Sequence, residues 1–114
     1  MKEYNKLKGD LGELRAVNYL KSEKYKILEV NYRNQIGEID IIAKKDKFIV
    51  FVEVKARETY AFGNPSEAVN RTKQYKIRRT AEGYLKEKHC YDSPCRFDCI
   101  EIVGDKINHI EDAF

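Results

Sequence analysis

Apolar residues recur along the chain with two different periods, and the switches between those periods mark its elements. Leu7, Leu11, Leu14, Val17 and Leu20 follow a spacing near 3.6, which predicts a first helix ending at about Lys24 with these residues as its buried stripe. Glu13 lies four residues before Val17 and seven before Leu20, so it falls at the margin of that stripe and not on the solvent side. Residues 25–33, with their Ile, Leu, Val and Tyr, read as a strand, and residues 34–37 as a turn. Residues 38–44 and 48–57 read as two further strands, folded into a hairpin at the polar pivot Asp46-Lys47.

In the third strand Phe48, Val50, Val52, Val54 and Ala56 alternate with Ile49, Phe51, Glu53, Lys55 and Arg57. One face is wholly apolar; the other begins apolar and ends charged. Asn64, followed by Pro65 and Glu67, has the form of an N-cap, and a helical stretch interrupted near 70–72 is expected to run on to Lys88. Ile77, Ala81, Tyr84 and Leu85 share its inner face, and one turn back that face reaches Lys73 and Gln74. A loop over 89–95, a strand over 96–103, a Gly104-Asp105 turn and a short strand over 106–111 complete the chain. The prediction is an α/β fold in a single domain spanning 1–114.

The hairpin restricts the register. With a two-residue turn, 45 pairs with 48, 42 with 51 and 40 with 53, which sets Asp40 opposite Glu53 with Lys55 two residues along the same face. A one-residue slip would bury Asp40 among Val50, Val52 and Val54 without a partner, at a cost of several kcal/mol. Two opposed carboxylates at the end of an apolar strand repel each other unless a proton or a cation intervenes. An all-oxygen donor set suits Mg²⁺ or Mn²⁺, and Mg²⁺ typically takes one or two carboxylates and leaves room for a substrate phosphate. The plainer alternative is a Glu53–Lys55 ion pair on an exposed strand.

Charge adds a second element. The net charge of +3 divides into +7 over residues 1–88 and −4 over residues 89–114, and Arg71, Lys73, Lys76, Arg78 and Arg79 form a run without an acid. Such a helix suits a polyanion, although a solvated face carries the same composition. No window approaches the ~18 apolar residues of a membrane span. The first 30 residues interleave Lys and Glu where a signal peptide would be apolar, so a cytoplasmic protein away from membranes is expected. Cys90, Cys95 and Cys99 have a spacing that matches no zinc finger and no disulfide framework, and they read as reduced thiols. His109 is isolated in its strand and receives no catalytic role.

Gly37-Glu38-Ile39-Asp40, followed after a hairpin by Val52-Glu53-Val54-Lys55, resembles the D…ExK core of restriction-endonuclease-like PD-(D/E)xK nucleases, in particular Holliday junction resolvases, which also place a Glu in the first helix, here Glu13. The chain is more closely similar to the YraN-like family of small bacterial proteins. That similarity rests on Gly12-Glu13 with Ala16, on Gly37 to Ala43, Phe51 to Lys55 with Arg57, Pro65, Glu67-Ala68-Val69 with Lys73, Arg96-Phe97-Asp98 and His109-Ile110. It implies a restriction-endonuclease-like αβββαβ core with a mixed sheet flanked by helices. It also implies a metal site at Asp40 and Glu53 joined by Glu13, with Lys55 acting on the hydrolytic water. Gln74 matches the position of a glutamine in RecB-like nucleases and, with Lys73, is placed to meet the scissile phosphate. A hydrogen bond from Gln74 to the sheet is the structural alternative.

The function expected is a metal-dependent endonuclease on structured or branched DNA, with DNA favoured over RNA. Arg57, Arg71, Lys73, Lys76, Arg78 and Arg79 are its nucleic-acid contacts, and a homodimer is required if two strands are cut together. The alternatives are a nucleic-acid-binding module that keeps the fold without cleavage, and a scaffold for an acidic protein.

Overall fold

The computed structural model describes the backbone of residues 2–57 and 70–114 and the side chains of residues 11–57 and 70–114. Its elements are α1 (Lys2–Ser22), β1 (Lys26–Arg33), β2 (Glu38–Lys45), β3 (Phe48–Arg57), α2 (Arg71–Glu87), β4 (Cys95–Val103) and β5 (Lys106–Ile110). The strands form one sheet in the order β1-β2-β3-β4-β5. All neighbours are antiparallel except β3 and β4, which run parallel. A parallel pair needs a crossover connection, and α2 lies within it. The Asn64–Glu67 helix start expected from sequence lies outside the described residues.

The alternation in β3 separates two apolar layers. Val50 and Val52 pack with Ile41, Ala43, Ile100 and Ile102 beneath Ala16 and Leu20 of α1. Ile49 and Phe51 pack with Ile42, Phe97 and Cys99 beneath Ile77, Ala81 and Tyr84 of α2. The sheet is thus flanked by a helix on each side, a mixed α/β architecture that accommodates a restriction-endonuclease-like core.

Helix α1 corrects the sequence reading. Leu11 and Leu14 are 53% and 55% exposed, whereas Gly12, Ala16 and Leu20 are buried. A Cβ built at Gly12 would stand 2.9 Å from the Ala56 Cβ, so the helix descends onto β3 along its small residues. Close approach of the backbones leaves no space beneath α1 for the longer leucines, and they are carried to its flank. Lys24 ends the helix in the left-handed region, with φ 70°, and the Tyr25 N–H donates to the Leu20 carbonyl at 2.9 Å.

Helix α2 starts at Asn70, whose side chain accepts the Lys73 N–H at 2.9 Å. That cap sits at the interruption expected near 70–72. The hairpin turns are Asp46-Lys47, with Asp46 at φ 54°, and Gly104-Asp105, with Gly104 at φ 59°. Among the described residues no helix is long and apolar enough to cross a membrane.

Candidate active site

β2 and β3 pair from Lys45↔Phe48 to Ile41↔Val52, the register expected from the two-residue turn. The next pair in that register is Asp40 and Glu53, and there the ladder ends. Asp40 turns its carboxylate into the gap, where Oδ2 accepts the Val54 N–H at 2.8 Å. A side chain thereby replaces a backbone carbonyl, and the carboxylate is fixed against β3. The alternation of β2 breaks at the same point, because Ile41 joins the layer under α1 while Ile39 joins the layer under α2. On β1 the residue across from Asp40 in the ladder is Asn31, which adopts φ 55°. Asn is one of the few side chains that tolerates this conformation, so the two strands bend together at Asp40.

Glu53 follows Phe51 on the α2 side of β3, and it is only 7% exposed. Lys73, in the first turn of α2, brings Nζ to 2.6 Å from Glu53 Oε1. Lys55, two residues further along the same face, brings Nζ to 3.6 Å from the same oxygen. Lys73 was expected to meet phosphate, and its position against a buried carboxylate was not visible in the sequence. The Asn70 cap fixes where the first turn of α2 lies and hence where this lysine enters.

Electrostatics couples these groups. Burial, followed by the charge of Glu53, raises the Asp40 carboxyl to about 7; the Val54 N–H opposes the rise and the charge of Glu13 adds to it. Burial lowers Lys55, and neighbouring Lys73 lowers it further against the pull of Glu53 and Asp40. Burial also acts to lower Lys73, but its bonds to Glu53 and Lys55 together with the charges of Glu53 and Asp40 outweigh that and leave it raised. The cluster thus combines a carboxyl that titrates near neutrality, an ion pair and a lysine biased toward its neutral form. Perturbed groups of this kind collect where proton transfer or ion binding takes place.

Glu13 is half-buried on α1, and its charge reaches Asp40. Gln74 is half-buried in the first turn of α2, and Arg57 is half-buried at the end of β3. Glu101 was not singled out in the sequence. It is 2% exposed on β4, directly across the parallel ladder from Lys55, and its Oε1 has no hydrogen-bond partner among the described residues. Only the β3·β4 register reveals it, since the Phe97, Cys99, Glu101 face of β4 cannot be aligned with Lys55 from sequence.

Among the described residues no group of three or more His, Cys, Asp or Glu side chains is assembled to hold a metal ion. Asp40 and Glu53 nevertheless suit a cation that takes two carboxylates and completes its shell with water. Asp40 is raised partly by the charge of Glu53, the repulsion that a divalent ion would relieve. Lys73 takes the place of such a charge on Glu53.

The basic run of α2 does not form a single comb. Lys76 lines a groove beside the β1–β2 turn, whereas Arg78 lies over the Phe97 ring of β4 with 4.5 Å to the centroid. Arg79 is exposed beside Tyr75 and 3.7 Å from Glu82, and Arg71 is exposed. Helical rotation distributes the five cations around the axis, and one of them enters the carboxylate cluster. His109 is not isolated either. Its Nε2 lies 2.7 Å from Asp98 Oδ2 and its Nδ1 lies 3.1 Å from the Tyr19 hydroxyl, which ties β5 to β4 and α1.

The protein is similar over nearly its whole length to bacterial proteins that share one family designation. A UPF0102 protein of Clostridioides difficile is 52% identical over 112 residues, covering 96% of this chain and 98% of the relative. A UPF0102 protein of Alkaliphilus oremlandii is 51% identical over 116 residues, covering 96% and 99%. One of Fusobacterium nucleatum is 48% identical over 103 residues, covering 90% and 87%. The model of the uncharacterised protein family UPF0102 matches residues 12–102, a span that includes Glu13, Asp40, Glu53, Lys55, Lys73 and Glu101. The chain therefore belongs to UPF0102, the YraN family whose residue pattern it carries.

Proposed function

We propose that this protein is a metal-dependent endonuclease that hydrolyses phosphodiester bonds in structured or branched DNA. The observation that carries the reading is the end of the β2·β3 ladder, where Asp40 is fixed on the Val54 N–H and its electrostatics is coupled to buried Glu53. Lys55 and Lys73 stand against Glu53. Asp40 and Glu53 would hold Mg²⁺ or Mn²⁺, with Glu13 close enough in charge to act on the water around it. The ion supplies Lewis-acid polarisation of the phosphoryl group and acidification of water.

The protein groups do the rest. Lys73 releases Glu53 and turns its ammonium to the phosphate, and Gln74 on the same turn supplies an amide donor to a phosphate oxygen. Lys55, biased toward the neutral form by burial, takes a proton at Nζ as a water oxygen bonds to phosphorus. The bond to the leaving oxygen breaks in line, and that oxygen takes its proton from solvent. Arg57, Arg71, Lys76, Arg78 and Arg79 would hold flanking phosphates. Because Arg71, Lys76, Arg78 and Arg79 are dispersed around α2 and Arg57 stands at the end of β3, the nucleic acid would bend around the helix and not lie along it.

One observation favours a second reading, a binding module without cleavage. Lys73 already neutralises Glu53 at 2.6 Å, so the pair is stable without a metal. Labelled linear, flapped and four-way-junction DNAs, incubated with Mg²⁺ or Mn²⁺, test the nuclease reading. Nicking that disappears in Asp40→Asn and Lys55→Ala supports it. Binding without nicking in any of the DNAs leaves the module.

A further inference from the structure

The turn joining β1 to β2 does not project freely into solvent. The Asn34 side-chain oxygen accepts the Ile36 and Gly37 N–H groups at 2.9 and 3.2 Å, and its Nδ2 donates to the Thr80 carbonyl of α2 at 3.1 Å. Gly37 lies so close to α2 that a Cβ there would stand 3.0 Å from Thr80 Oγ1 and 3.5 Å from Lys76 Cγ. A preformed groove of about 350 Å³ lies between this turn and the helix. Ile36 gives it an exposed apolar wall, Ile77, only 4% exposed, reaches its floor from the core, and Lys73, Lys76, Arg33 and Glu38 stand around it.

Two features identify the occupant. Ile36 is 41% exposed although it sits on a turn that its own hydrogen bonds hold still, so the apolar surface is fixed and presented to solvent. Lys73 belongs both to the groove and to the carboxylate cluster, where it reaches Glu53, so a ligand in the groove abuts the proposed reaction centre. An apolar slot with a cationic rim is complementary to a flat base carrying an anionic phosphate. Arg33 is offset by Glu38 at 2.8 Å and Lys73 by Glu53 at 2.6 Å, which leaves Lys76 as the cation for that phosphate, joined by Lys73 once it releases Glu53. Exposed Gln35, also in the lining, offers an amide to a base edge. A cavity near the small end of the usual ligand range of ~300–1,000 Å³ has room for one nucleotide and excludes a base pair.

We propose that this groove receives a single unpaired nucleotide of a nucleic acid strand, base against Ile36 over the floor at Ile77 and phosphate toward Lys76, next to the phosphate that reacts. The inference rests on the nuclease reading and deepens it: the preferred substrate carries an unpaired nucleotide beside the cut. An extruded or unstacked base has an apolar face to bury, whereas a paired one keeps that face in the helix.

The test is a binding measurement, so it does not depend on turnover. Asp40→Asn protein in chelator is titrated against hairpin DNA containing 2-aminopurine, either in a single-nucleotide bulge or fully paired, with fluorescence and anisotropy followed together. The expected result is at least tenfold tighter binding of the bulged DNA, with a change in 2-aminopurine emission. Ile36→Glu and, independently, Ile36→Trp should reduce that preference to under twofold, while Tyr91→Ser, at an exposed residue of the connection between α2 and β4, leaves it intact. Equal affinity for bulged and paired DNA overturns the proposal, as does a preference that survives both Ile36 variants. Free deoxyadenosine monophosphate competing at the strand's own affinity would overturn the strand form in favour of a free nucleotide. A bulge preference in a wild type that cuts nothing would sustain the groove and remove the nuclease. Cutting without a preference would do the reverse.

Discussion

Lys73 Nζ stands 2.6 Å from Glu53 Oε1, joining the first turn of α2 to the buried face of β3. The contact has two consequences. It places one end of the crossover helix against the sheet, and it gives a buried carboxylate a cationic partner. Among the described residues Asp40 makes no comparable ion pair: its Oδ2 is held by a backbone N–H, and burial with the charges of Glu53 and Glu13 raises it against the pull of that N–H and of Lys73. The two acids therefore have unequal surroundings: Glu53 is paired with a lysine, and Asp40 titrates near neutrality.

Removing that lysine tests the pairing directly. Breaking a buried ion pair typically costs 3–5 kcal/mol, but Lys73 is partly exposed and Lys55 remains near Glu53. Lys73→Met is therefore expected to cost about 1–2 kcal/mol in urea unfolding at pH 7. The variant should also gain more stability from Mn²⁺ than the wild type does, because the cation that competes for Glu53 is gone. An equal Mn²⁺ shift in both proteins would show that no ion reaches Glu53.

Asp40 gives a pH dependence of definite sign. Its carboxyl ionises near 3.8 in the ordinary state and at about 7 in the fold. Proton uptake therefore favours folding. The stabilisation is full below about pH 4 and is lost as pH rises through 7. Asp40→Asn, whose side-chain oxygen can still accept the Val54 N–H, should remove this slope and be more stable than wild type at pH 8 by a few kcal/mol, an order of magnitude set by the shift. Urea midpoints at pH 5 and pH 8 in chelator measure it; parallel pH profiles for the two proteins would contradict the coupling.

The hairpin was legible because its constraints are local. A two-residue turn and strict alternation in β3 fix which residues oppose each other, and Asp40, Glu53 and Lys55 follow from that register. The buried face of α1 was misread, since hydrophobic periodicity favoured Leu11 and Leu14 while packing selected Gly12 and Ala16. That choice depends on how closely a helix approaches Ala56, a contact 44 residues away in the chain. Lys73 was legible as an inward side chain but not as the partner of Glu53, and Glu101 was hidden by the unknown pairing of β4. The bend at Asn31, opposite Asp40, has no periodic signature either. In each case a long-range contact decided what local pattern could not.

Asp98 anchors the other side of the sheet. It is fully buried and accepts two bonds from Arg96, one from the Asp112 N–H and a contact with His109 at 2.7 Å. Burial acts to raise its carboxyl, but these bonds outweigh it and leave the group below its ordinary value of 3.8. Its contribution to stability is therefore present above about pH 4 and lost as pH falls through the lowered value. Asp98→Asn should cost about 3 kcal/mol at pH 7 and flatten the acid limb of the stability curve. Thermal melts between pH 3 and pH 7 read both effects; an unchanged acid limb would place the acid-sensitive group elsewhere.

Glu101 joins stability to chemistry. A buried carboxylate with an oxygen that no donor among the described residues reaches is costly, and Asn108 offers only a long contact of 3.5 Å to its other oxygen. Its carboxyl group lies across the ladder from Lys55, on the strand opposite the one that carries Asp40. Glu101→Gln removes the buried charge while keeping the shape, so it should raise stability by about 1 kcal/mol. The same change should shift the pH dependence of nicking. Loss of a neighbouring anion lowers Lys55 further, so its neutral form persists to lower pH and the rising limb of the rate profile moves to acid. A Glu101→Gln protein that is more stable and has an unmoved profile would confine Glu101 to the core, and one that is less stable would show that its second oxygen has a donor in solution.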